Sequence, residues 1–310
     1  MKKHLIIMAL AAIAATPVVA SSKPNILLFI TDDHSVPHLG VDGDENCLKL
    51  GITPNIDSFA KEAISFDNAY VTAPHGAPSR VSIFTGLHPV VTGTTRYGQP
   101  PQPEIPLFTD ILREGGYWVG LSGQDPHLSG DYRADDNSRL QEIYSQLGVS
   151  SDQFNSRFDY NGTGETNLVS ILEKVDSDKP FFLYYGAKKA SKSDSAPQSI
   201  GDADRAFGEV IAALKQRDLY DNTIIILIAD NGESLPQGKC TLYRGGINVP
   251  LIIRYAGSST RGCVNNALVS SIDLAKTILD FAGLTPTKSM QGETLLPLLK
   301  GEKESVRKYA

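Results

Sequence analysis

Two apolar runs constrain this chain most. Asn25-Ile26-Leu27-Leu28-Phe29-Ile30 and Thr223-Ile224-Ile225-Ile226-Leu227-Ile228 are hydrophobic without alternation. That is the pattern of strands covered on both faces, which requires helices on both sides of one sheet. Each run ends in an acidic turn, Thr31-Asp32-Asp33 and Asp230-Asn231-Gly232. Open α/β sheets bind ligands beyond the carboxyl ends of their strands, so both turns sit where chemistry is done. Further strands are expected over residues 117–121, 180–185 and 249–255. Helices are expected over 54–63, 107–114, 168–175, 202–217 and 271–281, the last closed by Gly283. In the 202–217 segment Ala206, Val210, Ala213 and Leu214 share one face. Residues 130–166 are polar and weakly periodic and read as irregular. The alternation gives an α/β fold, a mostly parallel central sheet flanked by helices.

At 310 residues and 41% hydrophobic content the chain can bury one large core or two smaller ones. Its formal charge of −6 argues against nucleic acid or anionic lipid as a general partner. Lys2 and Lys3, the apolar run 5–15 and the small residues Val18-Val19-Ala20 before Ser21 form a secretory signal over residues 1–20. The expected location is therefore periplasmic or secreted, an uncleaved anchor being the alternative. No other stretch is apolar for long enough to span a bilayer, so no stable membrane anchor is expected after cleavage. Cys47, Cys240 and Cys263 allow at most one disulfide, of open pairing, and have no zinc-type spacing. Oligomeric state is not written in the sequence.

The stretch 73–86 reads as a loop entering a short helix. Pro78 suits the first helical position, Ile83 and Phe84 give an apolar face, and Gly86 suits a left-handed stop. A helix start beside Arg80 is an anion site, and an ordinary proline-capped surface helix is the alternative. Asp32, Asp33, Asp230 and Asn231 offer oxygen ligands only, which favours Ca²⁺ or Mg²⁺ over zinc. Converging carboxylates repel without a cation, whereas separate strand-end turns would need none.

The motifs taken together resemble the sulfatase family of the alkaline phosphatase superfamily. They are Lys23-Pro24-Asn25-Ile26 leading to Asp32-Asp33, Thr53-Pro54-Asn55-Ile56-Asp57, and Pro78-Ser79-Arg80 with Thr85-Gly86. Leu112-Arg113-Glu114-Gly115-Gly116-Tyr117, Asp230-Asn231-Gly232-Glu233, Lys239 with Gly245-Gly246, and Val249-Pro250 follow in the same order. Leu279-Asp280, Ala282-Gly283 and Leu296-Pro297-Leu298-Leu299 complete it. Segments 123–128 and 239–243 lean toward the branch acting on sulfated glycans, heparan N-sulfatases included.

The resemblance implies an alkaline-phosphatase-like fold. It also implies calcium-dependent hydrolysis of sulfate esters or sulfamates on a sulfated glycan or a small sulfate ester. In the family a Cys or Ser in C/S-x-P-x-R becomes formylglycine, whose hydrate attacks sulfur and is sulfated, after which the geminal hydroxyl expels sulfate. By position, Asp32, Asp33, Asp230 and Asn231 would bind Ca²⁺, Mg²⁺ being less favoured. Arg80 would hold the nucleophile loop, His127 would serve as acid or base, and Lys239 would contact sulfate. Each has an ordinary alternative: a surface charge for Arg80, a solvated lysine for Lys239, a capping or core histidine for His127.

Three positions depart from the pattern. Gly76 occupies the nucleophile position, and formylglycine is not possible there because glycine has no side chain. Gln124 stands where a substrate-binding Lys or Arg is expected. No histidine follows His127, so the one expected after residues 181–186 is absent; Lys188, Lys189 and Lys192 nearby supply charge but not an imidazole. Ser79 and Ser82 are expected to point away from the site, and His75 precedes it by one residue. Residues 21–300 are expected to form the sulfatase-like α/β domain. Residues 301–310 would begin a C-terminal region whose antiparallel subdomain is largely missing. A catalytically inactive relative that binds a sulfated or phosphorylated ligand is the alternative function, and a phosphate or phosphonate ester hydrolase is a more distant one.

Overall fold

The computed structural model describes residues 23–310 except 37, 97, 129–141, 143–145, 147–153 and 188–195. The signal segment 1–20, Lys188, Lys189, Lys192 and much of the 130–166 stretch lie outside the described residues. Among the described residues there are ten strands: β1 (Asn25–Thr31), β2 (Ile64–Phe66), β3 (Ala69–Tyr70), β4 (Trp118–Gly123), β5 (Tyr160–Thr163), β6 (Phe181–Gly186), β7 (Thr223–Ala229), β8 (Leu251–Arg254), β9 (Cys263–Asn265) and β10 (Val269–Ser270). Eight of them form one sheet in the order β5-β4-β6-β1-β7-β8-β2-β9, while β10 and β3 pair separately. From β5 to β7 all neighbours are parallel. β8 runs antiparallel to both β7 and β2, and β9 runs parallel to β2.

The unbroken apolar runs have the expected cause. Ile26, Leu28 and Ile30 of β1 enter one core cluster, and Leu27 and Phe29 enter the other. Helices Gly76–Thr85, Phe108–Glu114 and Asp273–Phe281 supply Val81, Phe84, Phe108, Leu112, Leu274 and Ile278 to the first. Helices Pro54–Ala60 and Ala196–Gln216 supply Ile56, Phe59, Phe207 and Val210 to the second. Parallel strands buried on both faces are the physical reading of such runs.

Several boundaries differ from the sequence reading. The helix expected over 54–63 ends at Ala60, and Ile64-Ser65-Phe66 is a strand, too short to show a period. β5 lies inside the stretch read as irregular; as an edge strand it buries only Gly162, so it carries no hydrophobic alternation. The helix at the centre of the 73–86 stretch begins at Gly76, with Pro78 as its third residue. Every one of its ten residues is buried, so it is not a surface helix. Gly86 does terminate it in the left-handed region, at φ 67°. All three cysteines are free. Among the described residues no helix is long and apolar enough to cross a membrane.

The Pro54–Ala60 helix is capped from a distance. Its own N-cap, Thr53, makes no side-chain capping bond. Buried Asp204 accepts the Ile56 N–H at 2.8 Å and the Asn55 side-chain and backbone N–H groups at 2.8 and 3.3 Å. Burial raises the Asp204 carboxyl, against the pull of those bonds. Asp204→Ala is expected to cost ~1–3 kcal/mol by leaving buried donors unmatched. Urea unfolding measures it, and an unchanged midpoint would show that water replaces the carboxylate.

Candidate active site

β1 and β7 are neighbours in register, with Thr31 beside Ala229. The turns that follow them must therefore meet. The Asp33 N–H donates to Asp230 Oδ1 at 3.1 Å, and carboxylate oxygens of Asp32, Asp33 and Asp230 lie within 4.8 Å of one another. Asp33 reaches this position with φ 52°, a left-handed conformation that Asp tolerates better than most residues. Asn231 donates its Nδ2 to Asp33 Oδ1 and to the Gly232 carbonyl, both at 2.8 Å. Its Oδ1 is buried with no hydrogen-bond partner.

Arg80 reaches the cluster from the fully buried helix and is itself 0% exposed. Its Nε donates to Asp230 Oδ2 at 3.1 Å, one terminal nitrogen to Asp32 Oδ1 at 3.2 Å, and the other contacts the Tyr184 hydroxyl. Burial opposes the guanidinium charge, but Tyr184, Asp230 and Asp32 outweigh it and hold Arg80 protonated. Burial pushes the Asp230 carboxyl up; Arg80 pulls it down, and the like charges of Asp32 and Asp33 push it up again.

Lys239 enters from the loop after β7, with Nζ 2.5 Å from Asp33 Oδ1. Burial lowers its pKa, but the bond to Asp33 and the charges of Asp230 and Asp32 more than offset this. Ser234 Oγ donates to Asp33 Oδ2 at 3.2 Å. The loop is anchored by Cys240 N–H, which donates to the Pro74 carbonyl at 2.7 Å, two residues before Gly76. Gln124 donates its Nε2 to Asp32 Oδ1 at 3.4 Å, while its Oε1 is buried without a partner. Burial pushes His127 down to about 3, and the positive charges of Arg80, Lys239 and His75 add to this, so its imidazole is neutral at pH 7. His75, the N-cap of the buried helix, is lowered by burial and by Lys239, against Asp33.

Gly76 faces the same cluster. A Cβ built there would lie 3.0 Å from Asp230 Oδ2 and 3.8 Å from Asn231 Oδ1. Ser79 and Ser82 are buried in the same helix, and their hydroxyls have no hydrogen-bond partner.

This donor set suits a hard divalent cation. All its ligand atoms are oxygens, and the buried Asn231 Oδ1 is unmatched. Three carboxylates face two basic side chains, and burial with the like charges of Asp32 and Asp33 pushes the Asp230 carboxyl up, a repulsion that a cation would relieve. The surface-charge alternative for Arg80 does not hold. Tyr184, Ser234 and His75 are neighbours of the site that the sequence reading left out or set aside. Tyr184 carried no signal, since it lies in an apolar strand like any core aromatic.

A family model, Sulfatase, matches residues 24–189 and 187–284, and the chain belongs to the sulfatase family. An ulvan-active sulfatase of Formosa agariphila is 26% identical over 346 residues, covering 94% of this chain and 57% of its own. Human N-acetylgalactosamine-6-sulfatase is 29% identical over 353 residues, covering 90% of this chain and 66% of its own. The chain thus spans roughly three fifths of the length of these curated relatives. Among solved structures, the phosphonate monoester hydrolase of Agrobacterium radiobacter superposes with a TM-score of 0.69 at 19% identity, over 93% of this chain and 79% of that one. The fold is the one these proteins share.

Proposed function

We propose that this chain carries a calcium-dependent site for the sulfate ester or sulfamate groups of sulfated glycans, of the kind that hydrolyses them. The observation that carries this reading is the convergence of Asp32, Asp33, Asp230, Asn231, Arg80 and Lys239 on the space in front of Gly76. Relatives named for ulvan and for N-acetylgalactosamine-6-sulfate support a sulfated saccharide as ligand. When bound, the cation supplies charge neutralisation and polarisation of the sulfate oxygens.

Each side chain has a separate task. Asp32, Asp33, Asp230 and the free Oδ1 of Asn231 hold the cation. Arg80 is a positioning residue: it fixes Asp230 and Asp32 from beneath and has no exposed surface with which to touch a ligand. Lys239 is about a quarter exposed and presents its ammonium to an incoming oxyanion, where developing negative charge is stabilised. Gln124 provides a neutral amide beside Asp32 instead of a second positive charge. His127, neutral, serves as a hydrogen-bonding imidazole toward the leaving group. Residues 1–20 act as a secretory signal, and 21–300 form the α/β domain.

Gly76 favours a second reading, in which the site captures a sulfated or phosphorylated ligand without turning it over. Incubation with ulvan oligosaccharides and N-acetylgalactosamine-6-sulfate separates the two. Free sulfate followed by ion chromatography reports hydrolysis, and calorimetry reports binding. Calcium-dependent sulfate release supports hydrolysis, binding without release supports capture, and neither signal defeats both.

The cation makes its own prediction. A ligand that binds only the folded state stabilises it by ~2.7 kcal/mol at about 100 times its dissociation constant. Millimolar Ca²⁺ is therefore expected to raise the melting temperature by several degrees, and Asp32→Asn to shrink that rise. A melting temperature identical in Ca²⁺ and in chelator would remove the metal site.

A further inference from the structure

We propose that Tyr243 and Arg244 form a second saccharide site beside the first. The Tyr243 ring packs on the sugar next to the sulfated one, and Arg244 pairs with an anionic group, sulfate or carboxylate, on that neighbour. This rests on the reading of the acidic cluster and Lys239 as a site for a sulfated saccharide. It makes an oligosaccharide with at least two anionic groups the preferred ligand.

Three observations lead to it. First, the loop that carries Lys239 is pinned at both ends. The Gly232 N–H donates to the Gly246 carbonyl at 3.0 Å, and the Ser35 hydroxyl donates to the Gly245 carbonyl at 2.7 Å. The Cys240 N–H holds the middle of the loop against Pro74. Tyr243 follows Lys239 by four residues, so their Cα atoms are at most about 14 Å apart, within the span of a short oligosaccharide.

Secondly, this loop turns apolar surface to solvent. Leu242 is 79% exposed and Tyr243 61%. The backbone there is fixed, since the Tyr243 carbonyl accepts the Gly246 and Ile247 N–H groups at 2.8 and 3.2 Å. A single exposed apolar residue is ordinary, but two adjacent ones on a fixed loop beside a binding site mark a contact surface. A tyrosine ring suits the C–H face of a sugar: its own face is negative, its hydroxyl stays in water, and it loses little rotamer freedom on binding.

Thirdly, the charge beside Tyr243 is opposite to that of the chain as a whole, which is −6. Arg244 is exposed, and among the described residues no carboxylate lies within salt-bridge distance of it. One terminal nitrogen donates to Oδ1 of buried Asn248 at 3.0 Å, which orients the guanidinium and leaves its other N–H groups for a ligand. A guanidinium matches the paired oxygens of a sulfate or carboxylate. A purely apolar partner would leave that charge unused.

The test is calorimetric titration, in millimolar Ca²⁺, with N-acetylgalactosamine-6-sulfate alone and joined to galactose, to glucuronic acid or to galactose 6-sulfate. The two charged disaccharides are expected to bind at least about tenfold tighter than the monosaccharide, with the galactose disaccharide between them. Tyr243→Ala is expected to weaken all three disaccharides about five- to tenfold, and Tyr243→Phe, which keeps the ring, to retain them. Arg244→Gln is expected to weaken only the charged pair, about two- to fivefold, and the two arms show which anion it prefers. Equal affinity for the monosaccharide and every disaccharide in the unaltered chain overturns the proposal and leaves the sulfate site standing. Losses as large for the monosaccharide as for the disaccharides overturn it too, because they assign both residues to the shape of the Lys239 loop. If no saccharide binds, the sulfated-saccharide reading falls and the proposal with it.

Discussion

Gly76→Cys, produced together with a formylglycine-generating enzyme, is expected to release sulfate from sulfated oligosaccharides at least about 10³-fold faster than the unaltered chain. Loss of a nucleophile typically removes most of an enzyme's rate, leaving what binding and electrostatic stabilisation supply. Here the supporting groups are in place: Arg80 holds Asp230 and Asp32, Lys239 faces Asp33, and the Gly76 Cβ direction leads into the cluster. A Cβ would stand 3.0 Å from Asp230 Oδ2, so that carboxylate must yield by a few tenths of an ångström. Rapid hydrolysis by the unaltered chain would show that another group or a water attacks. Modified Gly76→Cys that binds sulfated saccharide and releases nothing would show that Gln124, or the missing second histidine, also limits the reaction.

Arg80→Ala is expected to destabilise the fold by ~3–5 kcal/mol, measured by urea unfolding in chelator. The whole guanidinium is buried, and its removal leaves Asp230 and Asp32 facing each other and Asp33 with only Lys239 to balance them. Breaking one side of a buried ion pair costs far more than the pair itself contributes, because the remaining charge stays desolvated. A loss below about 1 kcal/mol would mean that water reaches Asp230 in the variant. Calcium should recover part of the loss, since it offers the same carboxylates a different counter-charge.

The sheet and the acidic cluster were legible because they are written in unbroken runs. An apolar stretch of six residues admits few structures, and parallel pairing puts its two acidic ends side by side. β2 and β5 were not legible, since a strand of three residues has no period and an edge strand with one buried residue has no pattern. The start of the Gly76–Thr85 helix was misplaced by two residues because proline is common at a first helical position but not confined to it. The depth of Arg80 could not be read either: a lone arginine in a short helix looks the same whether it meets water or the side chains of Asp32, Tyr184 and Asp230. Its partner Tyr184 is 104 residues away and sits in a strand that reads as pure core.

The complete burial of the Gly76–Thr85 helix has a consequence for how the site moves. Its N-terminal turn is not a loop that opens and closes around a ligand. It packs against the same hydrophobic cluster as β1, and Arg80 ties it to the ends of β1 and β7. Proteins open in cooperative units, and a segment bound this way opens only with the sheet. Gly76 is thus a flexible residue type held in a rigid place, and the freedom that glycine has in a loose chain is spent before any ligand arrives.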